Sequence, residues 1–190
     1  MFSDEEAVFY LDVARVLEAT NREFDYVRKS SLTSGELASY SILVIPGGYT
    51  FKLLENLSEM SRRSILSFVE NGGGYVGICM GAYIAFEVGL TKSSAIRVAG
   101  EYDVELSILQ PTHPVMKGYE GKIMMSYQNG PEMVVKGADI SLAAFPNGRA
   151  AIVTGSFGEG KMVLFSPHPE RSRSSWEMVT NALDYSRGTF

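Results

Sequence analysis

The chain has 190 residues, 45% hydrophobic and 21% charged, with 17 Lys and Arg against 22 Asp and Glu for a formal charge of -5. A chain of this size buries a core without staples, and its acidity argues against the basic stripe that tracks phosphates. A lone cysteine cannot form an internal disulfide, and with two distant histidines it makes structural zinc improbable.

No apolar run approaches the roughly 18 residues of a membrane span. Met1-Phe2-Ser3-Asp4-Glu5-Glu6 is acidic where a signal peptide is basic and then apolar. The expected location is the cytoplasm, and the expected organisation one domain over residues 1–190. Ser3 followed by Glu6 has the capping-box pattern, and Tyr10, Val13, Ala14 and Leu17 repeat at helical spacing, which predicts a helix over about residues 4–20. Residues 23–28 alternate Phe24 and Tyr26 with charges and read as a strand, and Ser41 to Ile45 reads as a strand buried on both faces, ended by Pro46-Gly47-Gly48. With Ser58 as cap, Ile65, Phe68 and Val69 mark a helix stopped by Asn71-Gly72-Gly73; Gly74 to Cys79 is the next strand and 82–90 the next helix. Beyond residue 96 come strand-like stretches at 98–109, 123–127, 140–145, 150–155 and 162–165, with Gly158-Glu159-Gly160 as a hairpin turn, and then a closing helix from Trp176 to Tyr185 that leaves the tail Arg187-Gly188-Thr189-Phe190 uncovered. Helices alternating with strands, followed by antiparallel strands, predict an α/β fold with a mainly parallel central sheet and an antiparallel extension.

Cys79 lies in Gly77-Ile78-Cys79-Met80-Gly81 between an apolar strand and a helix. Such a turn exposes a thiol and sets it at the positive end of the helix, where a thiolate is favoured. His168-Pro169-Glu170 follows the last apolar strand, a spacing that lets the carboxylate orient the imidazole. Together they predict a Cys-His-Glu nucleophilic site. His113 sits in a turn-rich segment and reads as structural. Gly72 to Gly74 reads as a helix stop, since no Lys-Ser/Thr pair follows to hold a phosphate. Glu101, Asp103 and Glu105 share a strand face that reads as solvated rather than metal-binding, and Arg62-Arg63 and Arg171 with Arg173 read as solvated helix faces. Met124, Met125 and Phe51 are expected in the core or lining a pocket.

Val44-Ile45-Pro46-Gly47-Gly48, the stretch from Gly72 to Tyr83, Tyr127 with Asn129-Gly130-Pro131, and Gly158-Glu159-Gly160 leading to Glu170 occur in an order that resembles the class I glutamine amidotransferase-like superfamily. Within it the likeness is strongest to the family named for the N-terminal domain of some biotin-protein ligases, and it spans nearly the whole chain. The resemblance implies a flavodoxin-like three-layer sandwich, with Cys79 as nucleophile, His168 as base and Glu170 as orienting carboxylate. It also implies an oxyanion pocket from the backbone N–H groups of Gly48 and Met80, with Gly47, Tyr83 and Tyr127 as further binding residues. It implies no cofactor and no metal. The substrate would be a small amide or acyl compound, and a separate synthetase or ligase subunit, or a second copy of the chain, would be the partner.

The chain departs from the pattern at two places. Tyr83 stands where glutamine-hydrolysing relatives commonly carry a glutamine, so the resemblance does not carry glutamine over as substrate. Only Met1 and Phe2 precede the capping pattern where the family has its first strand, which is therefore expected to be short or missing. Directly paired strands at 23–28 and 41–45 would mean that the sheet has closed over the gap. Two other readings fit the residues: a catalytically silent binding or regulatory module on the same fold, and a relative of the DJ-1/PfpI peptidase and stress-protein group, with Glu5 or Glu6 standing in for the glutamate that group places near its first strand.

Overall fold

A computed structural model describes residues 1–188 of the chain. In chain order its helices and strands are α1 (Tyr10–Ala19), α2 (Lys29–Thr33), β1 (Ile42–Ile45), α3 (Thr50–Asn56), α4 (Glu59–Glu70), β2 (Gly74–Ile78), α5 (Met80–Val88), β3 (Ser94–Arg97), β4 (Glu101–Ile108), β5 (Lys122–Gln128), β6 (Pro131–Val134), β7 (Ile140–Ala144), β8 (Ala150–Phe157), β9 (Gly160–Phe165) and α6 (Trp176–Arg187). One sheet runs in the order β1-β2-β9-β8-β7-β4-β5, with β6 joining β8 and β3 joining β6. The strands β1, β2 and β9 are parallel to one another, and the remaining pairings are antiparallel.

Period-2 alternation sends each parallel strand's side chains into two separate layers. Val44, Val76, Ile78, Val163 and Phe165 face α1 and α6, where they meet Val13, Leu17, Met178 and Leu183. Leu43, Ile45, Tyr75, Met162 and Leu164 face α4 and α5, where they meet Ile65, Val69 and Ile84. Strands covered on both faces are continuously apolar for this reason, and the result is the three-layer sandwich the sequence predicts. The hairpin between β8 and β9 turns at Gly158-Glu159, closed by Phe157 opposite Gly160.

The front of the chain differs from the sequence expectation. Residues 4–9 are not helical, and α1 begins at Tyr10 with no side-chain cap. The Ser3/Glu6 capping box does not form because Glu6 is drawn inward: its Oε1 accepts from Lys29 Nζ at 2.7 Å, and its carbonyl accepts from Tyr49 N at 2.9 Å. Residues 23–28 are likewise not a strand beyond one bridge at Val27. Phe2 forms that bridge in the parallel sense and donates its N–H to Val44 O at 2.9 Å, while Ser3 N donates to Val27 O at 3.0 Å. Met1 to Ser3 thus stand as a stub of the first strand between 27 and 44, which satisfies backbone groups that would otherwise be orphaned. The segments 23–28 and 41–45 are not directly paired.

Four elements were not anticipated, the first of them the short helix α2 that follows the bridge at Val27. The helix α3 follows the Gly47-Gly48 loop, and the short strands β3 and β6 pair with each other, Ala95 opposite Met133. The helix α4 has its expected cap, Ser58 Oγ accepting from Ser61 N at 3.1 Å. The closing helix runs on to Arg187; of the tail expected to be uncovered, Thr189 and Phe190 lie outside the described residues. Among the described residues no helix is long and apolar enough to cross a membrane.

Candidate active site

The strand β2 delivers Cys79 at its carboxyl end, where open α/β sheets bind ligands. Cys79 takes φ 51° and ψ -100°, a left-handed conformation that a non-glycine residue adopts only when its surroundings enforce it. Its N–H donates to Phe165 O at 2.8 Å, which ties the turn to the neighbouring β9. The turn can close because Gly81 lies against the carbonyl of Ile45 and Gly77 against the backbone of Gly81, so that a Cβ on either would collide with main chain. From the far side Tyr75 Oη donates to Gly81 O at 2.7 Å. The sequence Gly-Ile-Cys-Met-Gly thereby forces the cysteine out of the sheet and onto the first turn of α5. Met80 turns its side chain into the core beneath α5, leaving its N–H at the open end of the helix.

His168 and Glu170 arrive on the loop after β9. The backbone N–H of His168 donates to Ser126 O at 2.8 Å, and its Nδ1 donates to Glu170 Oε1 at 2.7 Å, with both side chains fully buried. This loop is fixed from behind by Trp176 Nε1, which donates to Glu170 O at 2.8 Å, and by Ser175 Oγ, which donates to Pro169 O at 2.7 Å. Burial opposes the imidazolium. The charge of Glu170, the adjacent Cys79 sulfur and the bond to Glu170 outweigh it, and the imidazole pKa is pushed up to about 10. His168 Nε2 has no protein partner among the described residues, although it lies near enough to the sulfur to feel it. The thiol instead points at Gln128 O, 3.3 Å from Sγ.

Gly47 and Gly48 form the wall opposite. Gly47 lies under the His168 ring, where a Cβ would stand 2.6 Å from Cε1, and Phe9 closes the ring's flank edge-on at a centroid distance of 4.8 Å. Gly48 is held against the Glu6 carbonyl so closely that no side chain fits. Cys79, Gly48, Tyr49, Thr50, Gln128 and Asn129 share a cavity of about 170 Å³. It adjoins a cleft of about 620 Å³ lined by residues that include Phe51, Tyr83, Arg97 and Val98. A cleft of about 640 Å³ lies at the opposite end of the parallel strands, around Ser41, Gly73 and Arg187, remote from the cysteine and histidine.

Tyr83 sits one turn of α5 beyond Cys79, its hydroxyl donating to Asn129 O at 3.3 Å. Burial first, and then the Cys79 charge, push its pKa up to about 12, with Arg97 acting in the opposite sense. Tyr127 is a correction. Its hydroxyl meets Val98 O and Gly130 O, both at 2.8 Å, and its ring packs on Tyr102 and Phe145, so it braces the loop behind the site and lines neither cavity. Phe51 lines the cleft, one of its two expected places, with 56% of its area exposed, and Met125 is buried; Met124 is the correction, 52% exposed and lining neither cavity. Arg171 is more than a solvated charge, since it bonds Gln128 Oε1 at 3.2 Å and caps the Phe9 ring. Glu6 pairs with Lys29 and Glu5 with Lys52, so neither carboxylate of the DJ-1/PfpI reading contacts Cys79. His113 is structural as expected, its Nδ1 accepting from Val115 N at 3.2 Å. No three metal-ligating side chains converge among the described residues, those of Glu101, Asp103 and Glu105 included.

Sequence reasoning missed Phe9, Gln128 and Arg97. No local motif marks them, because their roles depend on which loops the sheet brings to one end.

Comparison with known proteins agrees with this geometry. The PurLQS structure from Thermotoga maritima superposes with a TM-score of 0.79 over 97% of this chain and 96% of that one, at 20% identity, which shows the fold. The family model described as "Biotin-protein ligase, N terminal" matches residues 23–112. The phosphoribosylformylglycinamidine synthase subunit PurQ of Prochlorococcus marinus is 27% identical over 161 residues, covering 72% of this chain and 74% of that protein. The chain is similar to the class I glutamine amidotransferase-like superfamily. A further relative, the imidazole glycerol phosphate synthase subunit hisH of Cyanidioschyzon merolae, is 36% identical over 77 residues, 40% of this chain and 35% of that protein. The amidotransferase-like architecture of the chain thus has relatives that act as parts of larger synthases.

Proposed function

We propose that the chain cleaves an amide through a thioester at Cys79, with His168 and Glu170 completing the triad. The observation that carries this reading is the left-handed elbow that presents Cys79 beside a fully buried His168–Glu170 pair at the mouth of a cavity. The sulfur attacks the carbonyl carbon as a thiolate, with the proton carried by the His168 imidazolium; a C–S bond forms and the carbonyl π electrons move to oxygen. The N–H groups of Gly48 and Met80 receive that oxyanion. As the oxyanion collapses the C–N bond breaks, and the amine leaves with the proton from His168 Nε2. Water then attacks the thioester, His168 takes its proton, and the acid departs from the sulfur. Glu170 holds Nδ1–H throughout and fixes the tautomer. Each step is complete with the chain's own groups and water.

The relatives are synthase subunits by name, which supports a separate synthetase or ligase partner that accepts the released ammonia. Glutamine is left open as substrate by Tyr83, which occupies the position one turn beyond the nucleophile.

Labelling with a glutamine-like electrophile, followed by intact mass over a pH series, tests the reading. Cys79 should carry the adduct, Cys79→Ser should abolish it, and His168→Asn should slow it by about 100-fold or more. Labelling no faster than a free thiol with an ordinary pKa of about 8.5, and indifferent to His168, would overturn it. One observation favours a second reading, a silent binding module: the resting thiol is turned to Gln128 O and not to His168 Nε2. That module would bind small amides equally well in wild type and Cys79→Ala, and wild type would form no product.

A further inference from the structure

The larger cleft bears on what the nucleophile receives. It opens directly from the Cys79 cavity, with which it shares Gly48, Tyr49, Thr50 and Asn129. Its walls are mostly apolar: the rings of Tyr49, Phe51 and Tyr83, with Val98 and Ala99. Tyr49 and Phe51 are exposed at its lip, 61% and 56%, a large apolar presentation for a short loop and the start of a helix. Arg97 lies over the Phe51 ring with its guanidinium carbon 4.1 Å from the centroid. It forms no ion pair among the described residues, while the other cation of the cleft, Lys52, is engaged by Glu5 at 3.1 Å. The stacked guanidinium keeps its N–H edge free, and that edge suits a planar carboxylate.

Equally telling is the chemistry the two cavities do not offer. No Asp or Glu lines either of them. An α-ammonium group of the kind glutamine carries would meet the Arg97 cation, with no carboxylate of the lining to neutralise it. A ligand of opposite polarity fits both features, with a flat or apolar body against Tyr83 and Phe51 and an anionic end at Arg97.

We propose that the substrate is a primary amide whose acyl part is apolar or aromatic, ends in a carboxylate received by Arg97, and bears no free ammonium group. Resting on the reading of Cys79 as nucleophile, the assignment adds the class of amide that reaches it. Arg97 is then a specificity residue, binding the end of the substrate remote from the reacting carbon.

Three chloromethyl ketones test it, each alkylating the sulfur with loss of chloride: an aryl ketone with a para carboxylate, its methyl ester, and the chloromethyl ketone analogue of L-glutamine. Intact mass gives the rate of Cys79 modification on the full chain. The carboxylate reagent should react about tenfold faster than its ester and faster than the glutamine analogue, the ratio expected of one charge-assisted contact. In Arg97→Gln the carboxylate-to-ester ratio should fall toward one, and Arg97→Lys should restore part of it. A ratio near one in wild type, a ratio untouched by Arg97→Gln, or a preference for the glutamine analogue would overturn the proposal. The nucleophile itself is judged separately, by whether His168→Asn slows all three reagents together, because a ratio taken within one variant cancels the intrinsic reactivity of the thiol.

Discussion

Raising pH should unlock the His168–Glu170 pair, and the size of the effect can be worked from the structure. In the unfolded chain His168 titrates near the ordinary imidazole value of 6.5, and in the folded chain near 10. Folding therefore favours the protonated ring. This stabilisation is fully present below pH 6.5, where both states carry the proton and the folded state binds it more tightly. It declines as pH rises, because above 6.5 the unfolded ring gives up its proton while the folded one keeps it, and it is gone once pH passes about 10. At 1.36 kcal/mol per tenfold change in proton affinity, the span corresponds to a loss on the order of 5 kcal/mol. That is a large share of the ~5–15 kcal/mol by which a domain is stable.

Urea unfolding across that pH range measures it, and the difference between wild type and His168→Gln isolates this ring from the tyrosines and lysines that titrate at the upper end. The wild-type advantage should shrink steadily above neutrality. An NMR titration of the His168 ring supplies the direct check, and it applies even if the variant folds poorly. A ring titrating near 6.5 in the folded protein, or a wild-type minus variant difference that is flat from neutral to alkaline pH, would refute the account of the pair.

Gly48→Ala should cost about 1–3 kcal/mol and abolish Cys79 labelling, because the new methyl is driven into the Glu6 carbonyl, a main-chain atom held by Tyr49 N and unable to yield; a wild-type melting temperature and labelling rate would contradict the close approach. Tyr127→Phe should lower stability by about 1–2 kcal/mol, by leaving two carbonyls with one partner fewer, while labelling stays within about twofold of wild type; a larger drop in labelling would return Tyr127 to the site. Lys29→Met should destabilise by about 1–3 kcal/mol in urea titrations, because Glu6 is left covered without its counter-ion. The figure falls below the ~3–5 kcal/mol usual for a broken buried pair, since Lys29 is partly exposed and water can reach the pair from its side. Glu6 is held below the ordinary carboxylate range, burial opposing and the Lys29 bond and charge prevailing, so the Lys29 contribution should also vanish in acid as Glu6 takes up its proton.

The residues that were legible from the sequence are those whose placement is enforced by neighbours in the chain. Cys79 could be read because an apolar strand, two glycines and a helix start occur within a few residues. His168 and Glu170 could be read because a strand end and a fixed i, i+2 spacing determine their mutual placement. The strands β2, β8 and β9 were visible because burial on both faces makes them continuously apolar. The strand β3 is four residues with no buried side chain, and β6 begins with a proline, so neither carries the alternation that marks a strand. Residues 4–9 misled for a related reason: the capping box is a local competitor, and the long-range pair of Glu6 with Lys29 defeated it.

Specificity is the part that local sequence conveys least, and the contrast between Tyr83, Tyr127 and Arg97 shows why. Both tyrosines lie within motifs of the superfamily, yet one lines the cleft and the other spends its hydroxyl on two carbonyls. Arg97 belongs to no motif. It reaches the cleft because β3 pairs with β6 and thereby sets its side chain over Phe51 of α3, a residue 46 positions earlier in the chain. In the proposed reading, the chemistry of attack is written in short segments that hold a strained cysteine and a buried imidazole at one end of the sheet. The choice of what is attacked would then fall to side chains from separate elements that meet only when the sheet has closed. On that reading the elbow can be kept intact while the acyl pocket is rebuilt around a different amide.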